Sequence, residues 1–200
     1  MASTRQQETA REAVRRAAAK VFMEKGFAET SIQDIADELG RPKASVYYYV
    51  SSKEGLLYEI LISGMEGLVK RLEDICSYPL SALNRLRLAV RDNMRSSIEE
   101  LHAPVAVDMH REALSLESEH RDEYLALRKR YQDMIVGLLE EANTMDEAKI
   151  DNPKLIAFAI LGMTHHFQRW FKPDGDLSLV EVADIWWSFM LGGLEGTGSG

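Results

Sequence analysis

Residues 27–54 read FAETSIQDIADELGRPKASVYYYVSSKE, and this stretch carries most of the information about the fold. Ile32, Ile35 and Leu39 recur at intervals of three and four, which is the spacing of one buried helix face. Gly40 then ends the segment, since glycine is common directly after a helix. The first part of the stretch therefore predicts a short helix that ends in a tight turn.

A second short helix is predicted from Lys43 to about Val50. Pro42 suits the first turn of that helix, because its missing N–H would have no partner there. Two short helices joined by about three residues form a helix-turn-helix, which we predict over residues 31–50. The second helix of such a unit fits the major groove of DNA, and its first turn reaches the base edges.

Side chains suited to DNA contact flank both predicted helices. Lys43 is a donor that favours guanine, and Ala44 and Ser45 are small enough to allow a close approach. Thr30 and Ser31 lie at the start of the first helix, where amide groups attract phosphate. We predict that Thr30 caps this helix in a capping box.

Three consecutive tyrosines close the second helix. Successive helical residues point about 100° apart, so Tyr47, Tyr48 and Tyr49 cannot all face a core. An exposed phenol hydroxyl is a good phosphate donor, and Lys53 adds a positive charge at the start of the next helix. The alternative interpretation is an ordinary helical corner that has tyrosines at its surface.

Composition excludes several classes of protein. The chain has 200 residues, a net charge of −8 and one cysteine, which rules out an internal disulfide and a cysteine-based zinc site. No uncharged apolar stretch approaches the ~20 residues of a membrane span, and the N-terminus has no secretory apolar run. We therefore expect a cytoplasmic protein without a membrane partner.

The charge is distributed unevenly along the chain. Residues 1–60 hold nine Lys or Arg and nine Asp or Glu, so residues 61–200 carry the whole net charge of −8. Within the first part, Gly40–Lys53 has three bases and no acid. An acidic chain is not a general polyanion binder, but a locally basic end can still meet a phosphate backbone.

The remaining segments also have helical spacing, and no alternating strand pattern is present, so we predict an all-α fold. Ser51–Glu54 is interpreted as a second capping box that opens a long fourth helix. Residues 144–153 are polar and predict a loop before two apolar helices, at about 153–171 and 178–194. We assign residues 1–52 to a three-helix DNA-binding domain, 53–194 to a second helical domain and 195–200 to a flexible tail.

The motif at residues 27–54 closely resembles the DNA-binding domain of TetR/AcrR-family repressors, and the resemblance extends over roughly residues 5–63. It implies that the second helix of the pair reads the major groove. Three positions depart from the family pattern, namely Arg41, Pro42 and Ala44, and Val50 stands where phenylalanine is usual. Arg41 becomes an additional candidate contact. The predicted DNA-binding residues are Thr30, Ser31, Arg41, Lys43, Ala44, Ser45, Tyr47, Tyr48, Tyr49 and Lys53.

By the same resemblance, the C-terminal domain binds a small effector and forms a homodimer, and two recognition helices then meet a pseudopalindromic operator in double-stranded DNA. Aromatic residues and methionines of the last helix suit an apolar interface, with intrachain packing as the alternative. The interface candidates are Trp186, Trp187, Met190 and Leu194. Candidate effector-binding residues, for which core packing is again the alternative, are Met94, Met109, His110, Tyr124, Arg128, Tyr131, Met134, His166, Arg169 and Trp170.

The segment 169–194 is similar to a subgroup of the family that represses fatty-acid, steroid or aromatic catabolism and responds to acyl-CoA thioesters. The alternative within the family is an efflux-pump repressor that senses hydrophobic drugs. Outside it, a helical protein-interaction adaptor remains open. No catalytic motif, metal-ligand spacing or cofactor motif is present, so we expect no enzyme activity and a small-molecule effector rather than a cofactor.

Overall fold

The computed structural model describes residues 2–99, 113–167 and 170–196, and in these ranges it contains eight α-helices and no β-strand. The predicted all-α fold is therefore confirmed. The helices are α1 (Ala2–Lys25), α2 (Ile32–Glu38), α3 (Lys43–Tyr47), α4 (Lys53–Cys76), α5 (Ala82–Glu99), α6 (Ser118–Thr144), α7 (Pro153–His166) and α8 (Leu179–Gly196).

The chain divides into two compact units. The first comprises Met1–Met65 and Leu101–Leu125, and the second comprises Glu66–Glu100 and Ala126–Gly200. The first unit thus extends beyond the boundary predicted after residue 52, because it includes the first half of α4 and the start of α6. Helices α4 and α6 each contribute residues to both units.

In the first unit, α2 packs against both α1 and α3. Gly40 has a φ of +62° in the turn between α2 and α3, a conformation that costs other residues free energy because of their Cβ. The amide of Arg41 donates to the carbonyl of Ala36 across this turn at 3.0 Å. The buried side chains of this unit include Val14, Ala18, Phe22, Ile35, Ala36, Val46, Leu56 and Leu57.

The N-terminus of α2 is capped one residue later than the sequence predicts. Ser31 is the N-cap, and its hydroxyl accepts a hydrogen bond from the amide of Asp34, whose carboxylate in turn accepts from the amide of Ser31. The prediction of Thr30 as the cap is therefore wrong. Both Thr30 and the adjacent Ser31 are residue types that can cap a helix. Thr30 is buried and its hydroxyl bonds to Gly26, so Ser31 is the cap.

Two further predictions about this region need correction. Helix α3 ends at Tyr47 rather than near Val50, since the residues that follow form a turn. At the start of α4 the amide of Gly55 donates to the hydroxyl of Ser52 at 2.9 Å, so the cap is Ser52 rather than Ser51. Glu54 is thereby left to bond elsewhere.

In the second unit, α5 packs against both α7 and α8. The loop between α6 and α7 is predicted correctly at residues 144–153, and its Glu147 carboxylate accepts from the amides of Ala82 and Leu83 at the start of α5. Helix α7 ends at His166 and α8 runs from Leu179 to Gly196, so both boundaries differ from those predicted. Buried residues of this unit include Leu72, Leu86, Met94, Ile135, Leu139 and Phe167.

Candidate functional site

Helix α3 presents most of its side chains to solvent. Of its five residues only Val46 is buried, at 1% exposure, while Lys43, Ala44 and Tyr47 are exposed and Ser45 is half-buried. The Lys43 ammonium lies 5.9 Å from the centre of the Tyr47 ring, within reach of a cation–π interaction. One face of α3 thus holds it to the protein, and the rest is available to a ligand.

The three consecutive tyrosines at the end of α3 differ in burial, as the sequence predicts. Tyr48 is 70% exposed and Tyr47 is 50% exposed, whereas Tyr49 is half-buried. The Tyr48 and Tyr49 rings meet edge to face at 5.0 Å between centroids. Two phenol groups are therefore exposed next to α3, where they can donate to phosphate oxygens.

Lysines of α1 neutralise two carboxylates of α2. Lys25 forms an ion pair with Asp34, and together with Ser31 it holds the pKa of the Asp34 carboxyl well below its usual range. Lys20 pairs with Glu38 in the same way. Within the described ranges, neither Arg41 nor Lys43 has a carboxylate partner, so their charges are available to a polyanion.

Thr30 lies apart from this exposed surface. Its side chain is 3% exposed, and its hydroxyl donates to the carbonyl of Gly26 at 2.8 Å. This bond ties the turn after α1 to the start of α2. Ser31 is exposed but engaged in its cap. The predicted phosphate contacts of both residues stay predictions, and burial leaves Thr30 little surface for such a contact in this conformation.

Lys53 has a different environment from the other predicted cations. Its ammonium donates to the carbonyls of Phe27 at 2.8 Å, Ala28 at 3.3 Å and Thr30 at 2.8 Å, and it lies 4.4 Å from the Phe27 ring centre. All three of its protons are therefore directed at backbone oxygens. The predicted phosphate contact stays a prediction, and the observed contacts fix the loop before α2.

The residues predicted to bind an effector are distributed over both units. Met94 and Tyr131 are buried in the second unit, Met134 and Arg128 are half-buried there, and Tyr124 is buried in the first unit. The predicted residues Met109, His110 and Arg169, and the side chain of His166, lie outside the part of the chain that the structure describes.

Tyr131 is hydrogen-bonded inside the second unit. The Asn93 amide donates to its hydroxyl oxygen at 3.1 Å, and burial raises the pKa of Tyr131 to about 12. The phenol therefore stays neutral over the whole physiological range, and it remains able to donate its own proton to a carbonyl oxygen.

A polar network between α4 and α5 was not predicted from the sequence. Arg71 donates to Asp92 at 2.8 Å and to Ser96 at 2.7 Å, and Arg95 donates to the same Asp92 carboxylate at 2.7 Å. Ser96 is buried in the structure, but its position among the other polar residues of this helix gave no sign of that burial.

Four aromatic rings are in contact near the C-terminal end of α7. The Phe167 ring, which is fully buried, meets the rings of Trp170, Phe171 and Trp186 at centroid distances of 5.3, 4.6 and 5.6 Å. Trp170 is largely exposed. The structure thus joins a predicted effector residue, Trp170, to a predicted interface residue, Trp186.

The predicted interface on α8 is partly occupied by intrachain packing. Trp187 is only 8% exposed and Met190 is buried as well, so both have little surface for a partner. Ile185 and Phe189 are exposed instead, Phe189 at 71%. The side chain of Leu194 lies outside the described part of the chain. An apolar pattern cannot distinguish two faces of a helix that is apolar on both.

The described residues also bear on two other classes of site. No helix among them is both long enough and apolar enough to cross a membrane. Nor do these residues contain a group of three or more His, Cys, Asp or Glu side chains arranged to hold a metal ion.

Comparison with known proteins identifies the class. Residues 14–60 match the model of the bacterial regulatory proteins of the tetR family, and residues 79–194 match a tetracyclin repressor-like C-terminal domain. The chain belongs to the TetR family of bacterial regulatory proteins, and it is a DNA-binding transcriptional regulator. The resemblance seen in the sequence is thereby confirmed, and the interpretation as a helical adaptor is wrong.

Individual relatives are similar over nearly the whole chain. The HTH-type transcriptional repressor KstR2 of Mycobacterium tuberculosis (strain ATCC 25618 / H37Rv) is 30% identical over 90% of both chains. The crystal structure of AibR in complex with isovaleryl coenzyme A and operator DNA has a TM-score of 0.80 at 27% identity, covering 90% of this chain and 97% of that one. The TetR-family regulator PfmR from Thermus thermophilus has a TM-score of 0.81 at 34% identity, over 91% and 98%.

Proposed function

We propose that this chain is a homodimeric repressor that leaves a pseudopalindromic operator when an acyl-CoA thioester binds to it. The observation that carries the proposal is the similarity to AibR, which holds isovaleryl coenzyme A and operator DNA and matches along 90% of this chain, effector half included. A repressor of this kind works in the cytoplasm, where its operator lies.

The DNA-binding part of the proposal rests on α3. Its exposed first turn carries Lys43 and Ala44 toward base edges, while Tyr47, Tyr48 and Arg41 contact the backbone on either side. Lysine supplies a donor to guanine, and phenol hydroxyls supply neutral donors to phosphate. The two recognition helices of a dimer then read half-sites about 34–36 Å apart, which is one turn of the DNA helix.

Dimer formation is supported by the apolar side chains that the second unit exposes. Ile185 and Phe189 are four residues apart on α8, and Leu155 and Phe158 are three residues apart on α7, so each pair lies on one helix face. Monomeric proteins rarely expose large contiguous apolar surfaces. We propose these two faces as the surface that a second copy covers.

Effector binding is supported by polar side chains that lie among the buried apolar residues of the second unit. The Tyr131 hydroxyl and the Asn93 amide are donors suited to the thioester carbonyl, and the exposed Trp170 ring offers a surface for an acyl chain or an adenine ring. An effector releases the operator if it binds more tightly to a conformation in which the recognition helices no longer fit two consecutive grooves.

The test uses an operator duplex selected by the protein from a random library, and it follows binding by fluorescence anisotropy. We expect isovaleryl coenzyme A to weaken operator binding at least tenfold, and coenzyme A alone to have little effect. Release by the planar cation ethidium but not by the thioester would instead establish the efflux-repressor alternative. Native mass spectrometry of the purified protein checks for a dimer and for a retained ligand.

A matched pair of variants locates the effector within the second unit. Tyr131→Phe removes the buried hydroxyl and should raise the isovaleryl coenzyme A concentration needed for release, with operator affinity unchanged in the absence of effector. Tyr78→Phe removes an exposed hydroxyl of the same unit and should change neither quantity. Equal responses of both variants would exclude Tyr131 from the effector site.

A further inference from the structure

The first two turns of α4 bond to the start of α6 within the first unit. Oε1 of Glu54 lies 2.9 Å from Nδ1 of His120, and it accepts a hydrogen bond from the backbone amide of Glu117 at 3.2 Å. One turn further along, the Tyr58 hydroxyl donates to the Glu123 carboxylate at 2.5 Å. We call Glu54, Tyr58, His120 and Glu123 the α4–α6 cluster.

The aromatic rings of the cluster strengthen this contact. The His120 and Tyr58 rings are stacked, with centroids 3.8 Å apart and an angle of 15° between their planes. Glu54 acts on α6 as the third residue of a capping box would, because it accepts the amide of Glu117, the residue before the helix. The bonded residues of α4, Glu54 and Tyr58, are four positions apart, and those of α6, His120 and Glu123, are three apart. One turn of each helix is therefore in contact with the other.

The same turn of α4 is also attached to the DNA-binding motif. Lys53, the residue before Glu54, bonds to the carbonyls of Phe27, Ala28 and Thr30 in the loop before α2. A short connection between α3 and α4 joins the recognition helix to this turn. A displacement of α6 at the cluster must therefore act on the turn that supports α3.

We propose that Glu54, Tyr58 and His120 are positioning residues for operator binding, and that the charge of His120 sets how firmly α6 holds the first turns of α4. Operator affinity is then linked to protonation near neutral pH. The proposal rests on operator binding by this chain and does not depend on the identity of the effector.

The charged neighbours of His120 determine the direction of the effect. Glu54 raises the pKa of His120 above 6.5, and Glu117 and Glu119 raise it further, while partial burial opposes them. The Tyr58 ring stacks on the imidazole, and its hydroxyl connects it to the Glu123 carboxylate. The contribution of the ion pair is complete below pH 6.5 and is lost as the pH rises through the pKa of the folded state.

An anchored recognition helix loses less conformational freedom when it binds, so the protonated state should bind the operator more tightly. We expect operator affinity to fall roughly 3- to 10-fold between pH 6 and pH 8.5, measured by anisotropy on the selected operator duplex. His120→Gln keeps a neutral donor for Glu54 and should abolish most of that dependence. Asp122→Asn, which removes a charge from an exposed position of the same helix turn, should keep it.

Two measurements separate positioning from plain packing. The imidazole resonances of His120 should titrate above pH 6.5 in the wild type and closer to it in Glu54→Gln. Tyr58→Phe should weaken operator binding at every pH while the pH dependence remains. A pH dependence of His120→Gln that equals the wild type's, in a folded protein, would overturn this proposal alone. A wild-type chain that binds no operator at any pH would overturn operator binding and this proposal together.

Discussion

The ammonium of Lys53 lies 2.8 Å from the carbonyl oxygen of Thr30, and this hydrogen bond joins the first residue of α4 to the residue that precedes the cap of α2. Thr30 in turn donates its hydroxyl to Gly26, directly after α1. Lys53 and Thr30, which the sequence suggests as phosphate contacts, therefore form a chain of hydrogen bonds. This chain connects the start of α4 with the loop between α1 and α2. The observed role of these two residues is to fix the helix-turn-helix in place.

Replacing Lys53 by Met separates the two roles. Loss of charged hydrogen bonds worth about 1.5–3 kcal/mol each should lower the free energy of unfolding by roughly 2 kcal/mol, because part of the lost bonding is recovered from water. Operator affinity should fall about tenfold through the displaced loop. Urea unfolding measures the first quantity and fluorescence anisotropy the second.

The salt dependence of binding is the decisive readout for Lys53→Met. A lost phosphate contact lowers the slope of log affinity against log salt by about 0.9, whereas a lost positioning contact leaves it unchanged. We expect an unchanged slope. Lys129→Met, on an exposed part of α6, is the control. A slope reduced by about 0.9 at unchanged stability would make Lys53 a phosphate contact.

Lys43 and Tyr48 should affect DNA binding without affecting the fold, since both are exposed. Lys43→Ala should cost about 1–3 kcal/mol and relax the preference for one base pair, because a base-edge donor is lost. Tyr48→Phe should cost about 0.5–1.5 kcal/mol on every sequence, because one hydrogen bond to the backbone is lost. Binding to the selected operator and to its single-base variants measures both effects. If neither variant changed affinity, α3 would not be the reading helix.

Adjacent residues of α8 should give opposite results on assembly and folding. Phe189→Glu places a charge on the exposed face and should yield a folded monomer in sedimentation velocity. Met190→Glu buries an unpaired carboxylate and should cost several kcal/mol of stability, observed as a lower thermal midpoint in circular dichroism. A Phe189→Glu protein that stays dimeric would place the interface elsewhere.

Alkaline pH tests the environment of Tyr131. The folded state holds the phenol neutral up to about pH 12, whereas in the unfolded chain it ionises near 10.0. Stability should therefore fall as the pH rises above 10, by roughly 2–3 kcal/mol in total at about 1.36 kcal/mol per pH unit. Urea midpoints from pH 9 to pH 11 should show roughly half of this loss, about 1.4 kcal/mol, in the wild type and in Tyr78→Phe, but not in Tyr131→Phe.

The local signals in the sequence were enough for the helices of the first unit. The spacing of Ile32, Ile35 and Leu39 with the glycine at position 40 predicted α2 and its turn, because both depend on contacts within a few residues. The register of the cap was wrong by one residue, since burial of Thr30 depends on contacts with α1. The same long-range packing determines which apolar face of α8 is covered.

The α4–α6 cluster lay beyond any local pattern. Glu54 was assigned to a capping box of its own helix, but its partners are 63 and 66 residues away in the chain. Lys53 and Thr30 were assigned to DNA because charge and hydroxyl groups suggest phosphate. Which of these groups point inward is determined by tertiary packing, and a single sequence carries no record of it.

Val46 is the only buried side chain among the five residues of helix α3. The other four positions contribute little to the core, so substitutions there cost little folding free energy. The surface that we propose to read the operator can therefore change while the rest of the unit keeps its packing. The same freedom makes the exposed positions 43, 44 and 47 suitable for a randomised library in which repressors with new operator preferences are selected at little cost in stability.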